Sequence, residues 1–289
     1  MILDILISGL IGGSVYALLA IGFSLIFGVA RIVNIAHTAF YMVAAYAIYF
    51  GTHKLGFHPV WCMLASVVMV MLFGLIIYKL FIDAIREHEA AVLICTIAIA
   101  MAMQEIILLK FTGSFLSVPA LIEGFFKVLG VKVFYQQLLT FGLVLLILAA
   151  LWLLLMKTRL GLAIRSTAQD REVANLMGIN ESRAAMITMG ITVGLAGLAG
   201  AVVAPLTILD PFMWMHPLIM MMAVVVLGGL GSLKGSFVGA YMLAFAEALV
   251  VFLIPKGAFL KGSVALSVMI LVLLIRPEGL FGVAFEEER

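Results

Sequence analysis

This sequence predicts an all-α, polytopic membrane protein, and three observations predict it. Apolar residues make up 65% of the 289-residue chain and charged residues only 11%, whereas a soluble globule carries about a quarter charged residues to coat its surface. Mean hydropathy is +1.28. Apolar runs of about 20 residues, long enough to cross a hydrocarbon core, recur from one end to the other. The short alternating strands of a membrane β-barrel are absent. The expectation is a single transmembrane domain over 1–289 with about eight to nine crossing helices, some of them broken or re-entrant.

The spans fall at 3–28, 32–51, 59–82, 90–110, 136–156, 185–208, 216–231, 235–254 and 262–276. The first is long. No basic segment precedes it and Asp4 stands there instead, so it reads as a retained helix rather than a cleaved signal. Its Gly9, Gly13, Ala17, Ala20 and Ser24 form a stripe of small residues suited to close helix packing. The second span opens on polar groups. Asn34, His37 and Thr38 lie at i, i+3 and i+4, one face of a helix, just after Arg31. Polar groups at depth turn to the bundle interior, where they serve either a lined cavity or a structural hydrogen-bond cluster. Cys62 and Cys95 sit in the third and fourth spans without ligand spacing and read as small buried hydrophobes.

The segment between the fifth and sixth spans, 157–184, carries Lys157, Arg159, Arg165, Arg171 and Arg183. Cytoplasmic loops carry the excess of Lys and Arg. That places this segment in the cytoplasm and puts the N-terminus outside. The 111–135 and 209–217 loops follow it outside, with Trp214 at interfacial depth. The C-terminal "RPEGLFGVAFEEER" falls inside. Within the segment an amphipathic helix is expected, with Thr167 as its cap and Asp170 three residues on. Val173, Leu176 and Met177 line one face and Gly178 supplies the C′ position. Such a helix either rests on lipid headgroups or docks in the groove of a partner.

The sixth span repeats the small-residue pattern at Gly190, Gly194, Gly197 and Ala201. Between the seventh and eighth runs "LGGLGSLKGSFVGA" (227–240), with glycine clustered at Gly228, Gly229 and Gly231 beside Ser232. Lys234 occupies the last glycine position of a GxGxxG pattern and GK[ST] is missing, which excludes a nucleotide loop. The stretch is a tight turn between helices or a helix break beside a transport path. Glu247 lies midway along the eighth span; a buried carboxylate must be paired or protonated, and a structural hydrogen bond to a neighbouring helix is the expectation. The histidines are scattered over different spans, so neither a catalytic set nor a metal set is expected. With no P-loop and no soluble domain, any engine for energy-driven work lies on another chain.

Four stretches now stand out together: "NIAHTAFYM" (34–42), "RSTAQDREVANLMGIN" (165–180), "VVLGGLGSLKGSFVGAYMLAFAEAL" (225–249) and "RPEGLFG" (276–282). In their order and spacing the chain resembles, over nearly its whole length, the inner-membrane permeases of branched-chain amino acid ABC importers, the LivH type. The resemblance implies a second homologous permease, two cytoplasmic ATP-binding subunits that use ATP and Mg, and a periplasmic or extracellular substrate-binding protein. It implies a multi-pass protein of the cell inner membrane that binds no cofactor itself, contacts lipid and has no nucleic-acid partner. Glu172-x-Ala174-x-x-x-Gly178 is similar to the E-A-A-x-x-x-G pattern of importer permeases. The coupling residues so implied are Arg165, Asp170, Arg171, Glu172, Ala174, Asn175 and Gly178. By analogy with related permeases, helix breaks at 34–38 and 228–235 flank the pathway, with Asn34, His37, Thr38, Gly228, Gly229, Gly231 and Ser232 along it. Thr38 replaces the family's glycine after the histidine, and Ala44–Ala45 stands where a glycine is common. These changes leave the solute open among leucine-type amino acids, urea, amides and aromatic or other carboxylates. The rival reading is a self-sufficient channel or proton-coupled carrier using His37 and Glu247, which needs no ATPase.

Overall fold

The computed structural model describes residues 1–128 and 130–282. It is a helical bundle in which each expected span has its helix. In chain order these are α1 (Ile2–Ala30), α2 (His37–His53), α3 (Pro59–Ile77, continued by a π-turn at Tyr78–Ile82), α4 (Glu89–Phe111), α5 (Tyr135–Lys157), α6 (Arg159–Gln169), α7 (Arg171–Leu176), α8 (Glu181–Val203), α9 (Met215–Gly228), α10 (Leu233–Leu253) and α11 (Lys261–Ile275). Among the described residues, seven helices are long and apolar enough to cross a membrane. α9 has 14 residues, about 21 Å at 1.5 Å per residue, less than a hydrocarbon core.

α1 and α8 form the interior, and both small-residue stripes are packing seams. Gly9 lies under the Phe245 ring and Gly13 under Tyr241, both of α10. Further along the same face Ser24 and Ser236 share a hydrogen bond. On α8, a methyl placed on Gly190 would stand 3.3 Å from Leu75, on Gly194 3.8 Å from Met71, and on Gly197 3.5 Å from Val67, so the stripe carries α3. The adjacent face of α8 meets α2 more tightly, where Gly200 faces the Tyr41 backbone carbonyl. Lipid tails offer helices no hydrophobic reason to associate, so this close approach of backbones is what holds the bundle. α5 and α11, by contrast, keep most of their surface outward.

The helix ends correct several expectations. α1 stops at Arg31, a left-handed residue at φ 49°, and 31–36 is a turn rather than the start of the second span. Asn34 therefore precedes α2 and does not share a helical face with His37 and Thr38. The sixth span ends at Val203, not 208. The 112–134 connection contains a hairpin, β1 (Phe125–Val128) and β2 (Val131–Phe134), paired Phe125 to Phe134 and Val128 to Val131. An all-helix reading missed it. A backbone bridge joins Leu116 to Leu209, so the two long loops at this end of the bundle meet. Trp214, at the start of α9, is buried, and its indole N–H donates to Gln104 Oε1 at 2.8 Å. Residues 283–289 of the C-terminal motif lie outside the described residues.

Candidate functional site

The basic segment is two helices, not one. Thr158 caps α6, its Oγ1 accepting from the Gly161 N–H at 3.0 Å. Asp170, extended at φ −151°, breaks the chain and caps α7, its Oδ1 accepting from the Val173 N–H at 3.0 Å. Thr167, the expected cap, lies inside α6, and its hydroxyl donates to the Ala163 carbonyl. Gly178 takes φ 86°, a left-handed position that closes α7, and Asn180 caps α8. The consequence is an elbow that leaves the apolar face of α7 outward: Val173 is 53%, Leu176 86% and Met177 80% exposed. Ala174 faces inward and is buried.

The elbow is tied to the bundle. Arg171 pairs with Glu181 at the start of α8 at 3.6 Å. Arg86, beyond the π-turn, pairs with Asp83 at 3.7 Å. Burial lowers the pKa of the Arg171 guanidinium and the Glu181 carboxylate opposes the shift, with Arg31 and Arg86 the nearby like charges. This gathering of three arginines and two carboxylates, drawn from four separate stretches of chain, had no local sequence signal. Gly28, near the end of α1, is the other tie. A methyl on it would stand 3.8 Å from Ala168 Cβ of α6 and 3.9 Å from the Gly231 carbonyl oxygen.

Gly231 belongs to the glycine cluster, which is the turn from α9 to α10. Gly229 and Gly231 adopt φ 96° and 81°, a region that side chains disfavour. Ser232 caps α10, accepting from the Gly235 N–H at 3.1 Å. Gly228 and Gly235 touch backbone to backbone. The C-terminal motif lies on this turn: the Leu280 N–H donates to the Leu227 carbonyl at 2.8 Å and the Phe281 N–H to Gly228 at 3.1 Å. The stretches 165–180, 225–249 and 276–282 thus converge at the end of α1, and 34–42 starts from it.

That fourth stretch is buried. Asn34, His37 and Thr38 are 0–1% exposed. Asn34 Nδ2 donates weakly to Met189 Sδ of α8 at 3.8 Å, and the Ile35 N–H donates to Thr96 Oγ1 of α4 at 3.3 Å. The His37 ring covers Gly22, 3.1 Å from where a Cβ would be. Asn34 Oδ1 and Thr38 Oγ1 have no hydrogen-bond partner among the described residues, and the His37 ring approaches the Leu19 backbone of α1. Leaving a buried polar group unpaired costs about 1–3 kcal/mol, so Asn34 and Thr38 stand out among the apolar side chains around them. Ala44 and Ala45 are fully buried where α2 meets α8.

Glu247 is engaged elsewhere. The Tyr16 hydroxyl donates to its Oε2 at 2.9 Å, Lys261 Nζ lies 3.3 Å and His216 Nε2 3.8 Å from Oε1. One carboxylate links α1, α9, α10 and α11.

The sequence profile described as "Branched-chain amino acid transport system / permease component" matches residues 5–275. The permease protein BraD of Pseudomonas aeruginosa, named for high-affinity branched-chain amino acid transport, is 31% identical, with 96% of this chain and 94% of that protein covered. LivH of Escherichia coli (strain K12), named for the same transport, is 28% identical over 95% and 94%. A probable LivH permease of Methanocaldococcus jannaschii is 26% identical over 98% and 93%. Among solved structures, PsaBC from Streptococcus pneumoniae in complex with Fab shares the fold at a TM-score of 0.55 and 14% identity, covering 95% of this chain and 92% of that one. With its spans, its converging motifs and a family profile matched almost end to end, this multi-pass membrane protein belongs to the branched-chain amino acid transport permease family.

Proposed function

We propose that the chain is the permease subunit of an ATP-driven importer for branched-chain or related amino acids, paired with a second permease, two cytoplasmic ATP-binding subunits and a substrate-binding protein outside. The relatives' names support the substrate class. The observation that carries the mechanism is the outward apolar triad of α7 on an elbow fixed to the bundle. The basic segment faces the cytoplasm, the N-terminus is outside, and the chain performs no bond chemistry. ATP binding closes the ATPases. Their motion enters at Val173, Leu176 and Met177 and passes through Arg171–Glu181 to α8 and through the Ala168–Gly28 contact to α1. α1, α2 and α8 enclose Asn34, His37 and Thr38, so shifting them opens or closes that polar point. Here it is closed. The engagement of Glu247 by Tyr16 and Lys261 supports a structural role for it rather than an ion-carrying one.

Reconstitution tests this. Uptake of labelled leucine into vesicles is expected only with the ATP-binding subunits, ATP and the binding protein all present. Uptake by this polypeptide alone, driven by a solute or proton gradient, contradicts the reading and establishes a channel or carrier.

A further inference from the structure

α3 and α4 are consecutive, yet each rests on α2 and they join each other through the π-turn. They splay apart, leaving a groove of about 1240 Å³ open along its side. Leu64, Val68 and Leu72 of α3 form one wall and Ile106 of α4 the other, over a floor of Ala47 and Phe50 of α2. The three α3 leucine and valine positions run about 12 Å along the helix. At the mouth stands Lys110, in the last turn of α4. Its ammonium lies 4.3 Å from the Phe50 ring centroid and 5.9 Å from that of Phe111. Among the described residues no carboxylate comes within salt-bridge distance of it.

A groove of this kind in a membrane-spanning bundle cannot hold ordered water, which needs two or more polar partners. Its occupant must be apolar over most of its length and negative at one end, where α4 reaches the headgroup level. We infer that the α2–α3–α4 groove is a binding site for one phospholipid, its acyl chain along Leu64, Val68 and Leu72 and its phosphate on Lys110. A long apolar chain fills the cleft, and a phosphate supplies the charge partner that the described protein does not. A helix from a second permease would fill the cleft but must bring its own carboxylate for Lys110.

The test uses the intact complex extracted from native membranes in polymer discs, and the same complex in phosphatidylethanolamine–phosphatidylglycerol vesicles containing a phosphatidylglycerol with a photoreactive acyl chain. Adducts are expected at Ala47, Ala65 and Ile106 in excess of those at Ile270, an outward residue of α11 that samples bulk lipid. Lys110→Glu should lower retained phosphatidylglycerol by about fivefold, and Lys110→Arg should restore it. Ala65→Trp, which fills the groove from an exposed position, should remove groove adducts while those at Ile270 persist. Groove labelling no higher than at Ile270, retention unchanged in both Lys110→Glu and Ala65→Trp, or protein–protein cross-links from Ala65 to a second permease would each overturn the inference.

Discussion

α7 and α8 are neighbours in sequence and opposites in physics. α8 buries small residues, and each of its glycines has a partner inside this chain: Leu75, Met71, Val67 and, on the adjacent face, Tyr41. α7 is a single short helix whose large apolar residues have solvent where a partner should be. A helix of six residues cannot sustain itself on propensity, and an exposed apolar patch costs solubility. α8 takes its contacts from packing inside the chain, whereas α7 is held there by its Asp170 cap, the Arg171–Glu181 pair and buried Ala174, and the proposed function gives its apolar face a partner.

That contrast can be broken by substitution. The largest effect is expected at Gly200→Val, which drives a branched side chain into the Tyr41 carbonyl; overpacking of this kind costs about 3 kcal/mol. Loss of the monodisperse peak in detergent size-exclusion and a lowered thermal midpoint should report it. Next comes Leu176→Glu with Met177→Glu. Both positions are exposed, so folded stability should stay within about 0.5 kcal/mol, while ATP-dependent uptake falls by about tenfold or more for a lost apolar anchor. Stable protein with wild-type uptake would erase the distinction between the two helices. Asp170→Ala removes the cap of α7, worth about 1 kcal/mol, and should lower uptake several-fold, with Asp170→Asn restoring it. The smallest effect belongs to Gly194→Ala. Its new methyl meets Met71 at an ordinary 3.8 Å, and alanine is the better helix former by about 1 kcal/mol. The thermal midpoint should hold or rise.

The same contrast shows what the sequence could reveal. The stripes on α1 and α8 were legible because small residues at i, i+4 and i+7 share a face whatever lies opposite. The seven long crossings were legible for the same local reason. The elbow was half legible. Thr167 and Asp170 are both good caps, and the choice fell to Asp170 because Thr158 had already started a separate helix. The turn at 31–36 was hidden because Arg31, not glycine, takes the left-handed position. The β1–β2 hairpin depends on pairing across the chain, which an apolar run does not announce. Of the site, the sequence supplied the polar trio and the glycine turn. The meeting of three motifs at the end of α1, the gathering of Arg31, Arg86 and Arg171, and the backbone contact of 280–281 with the glycine turn emerged only in three dimensions.

The most direct measurement places a photo-crosslinking amino acid at Met177 in cells that hold the complete complex. The account predicts one dominant adduct with an ATP-binding subunit, lost when Leu176 is also changed to Glu. Adducts with lipid alone, or labelling of this position by an impermeant reagent added outside the cell, would contradict it.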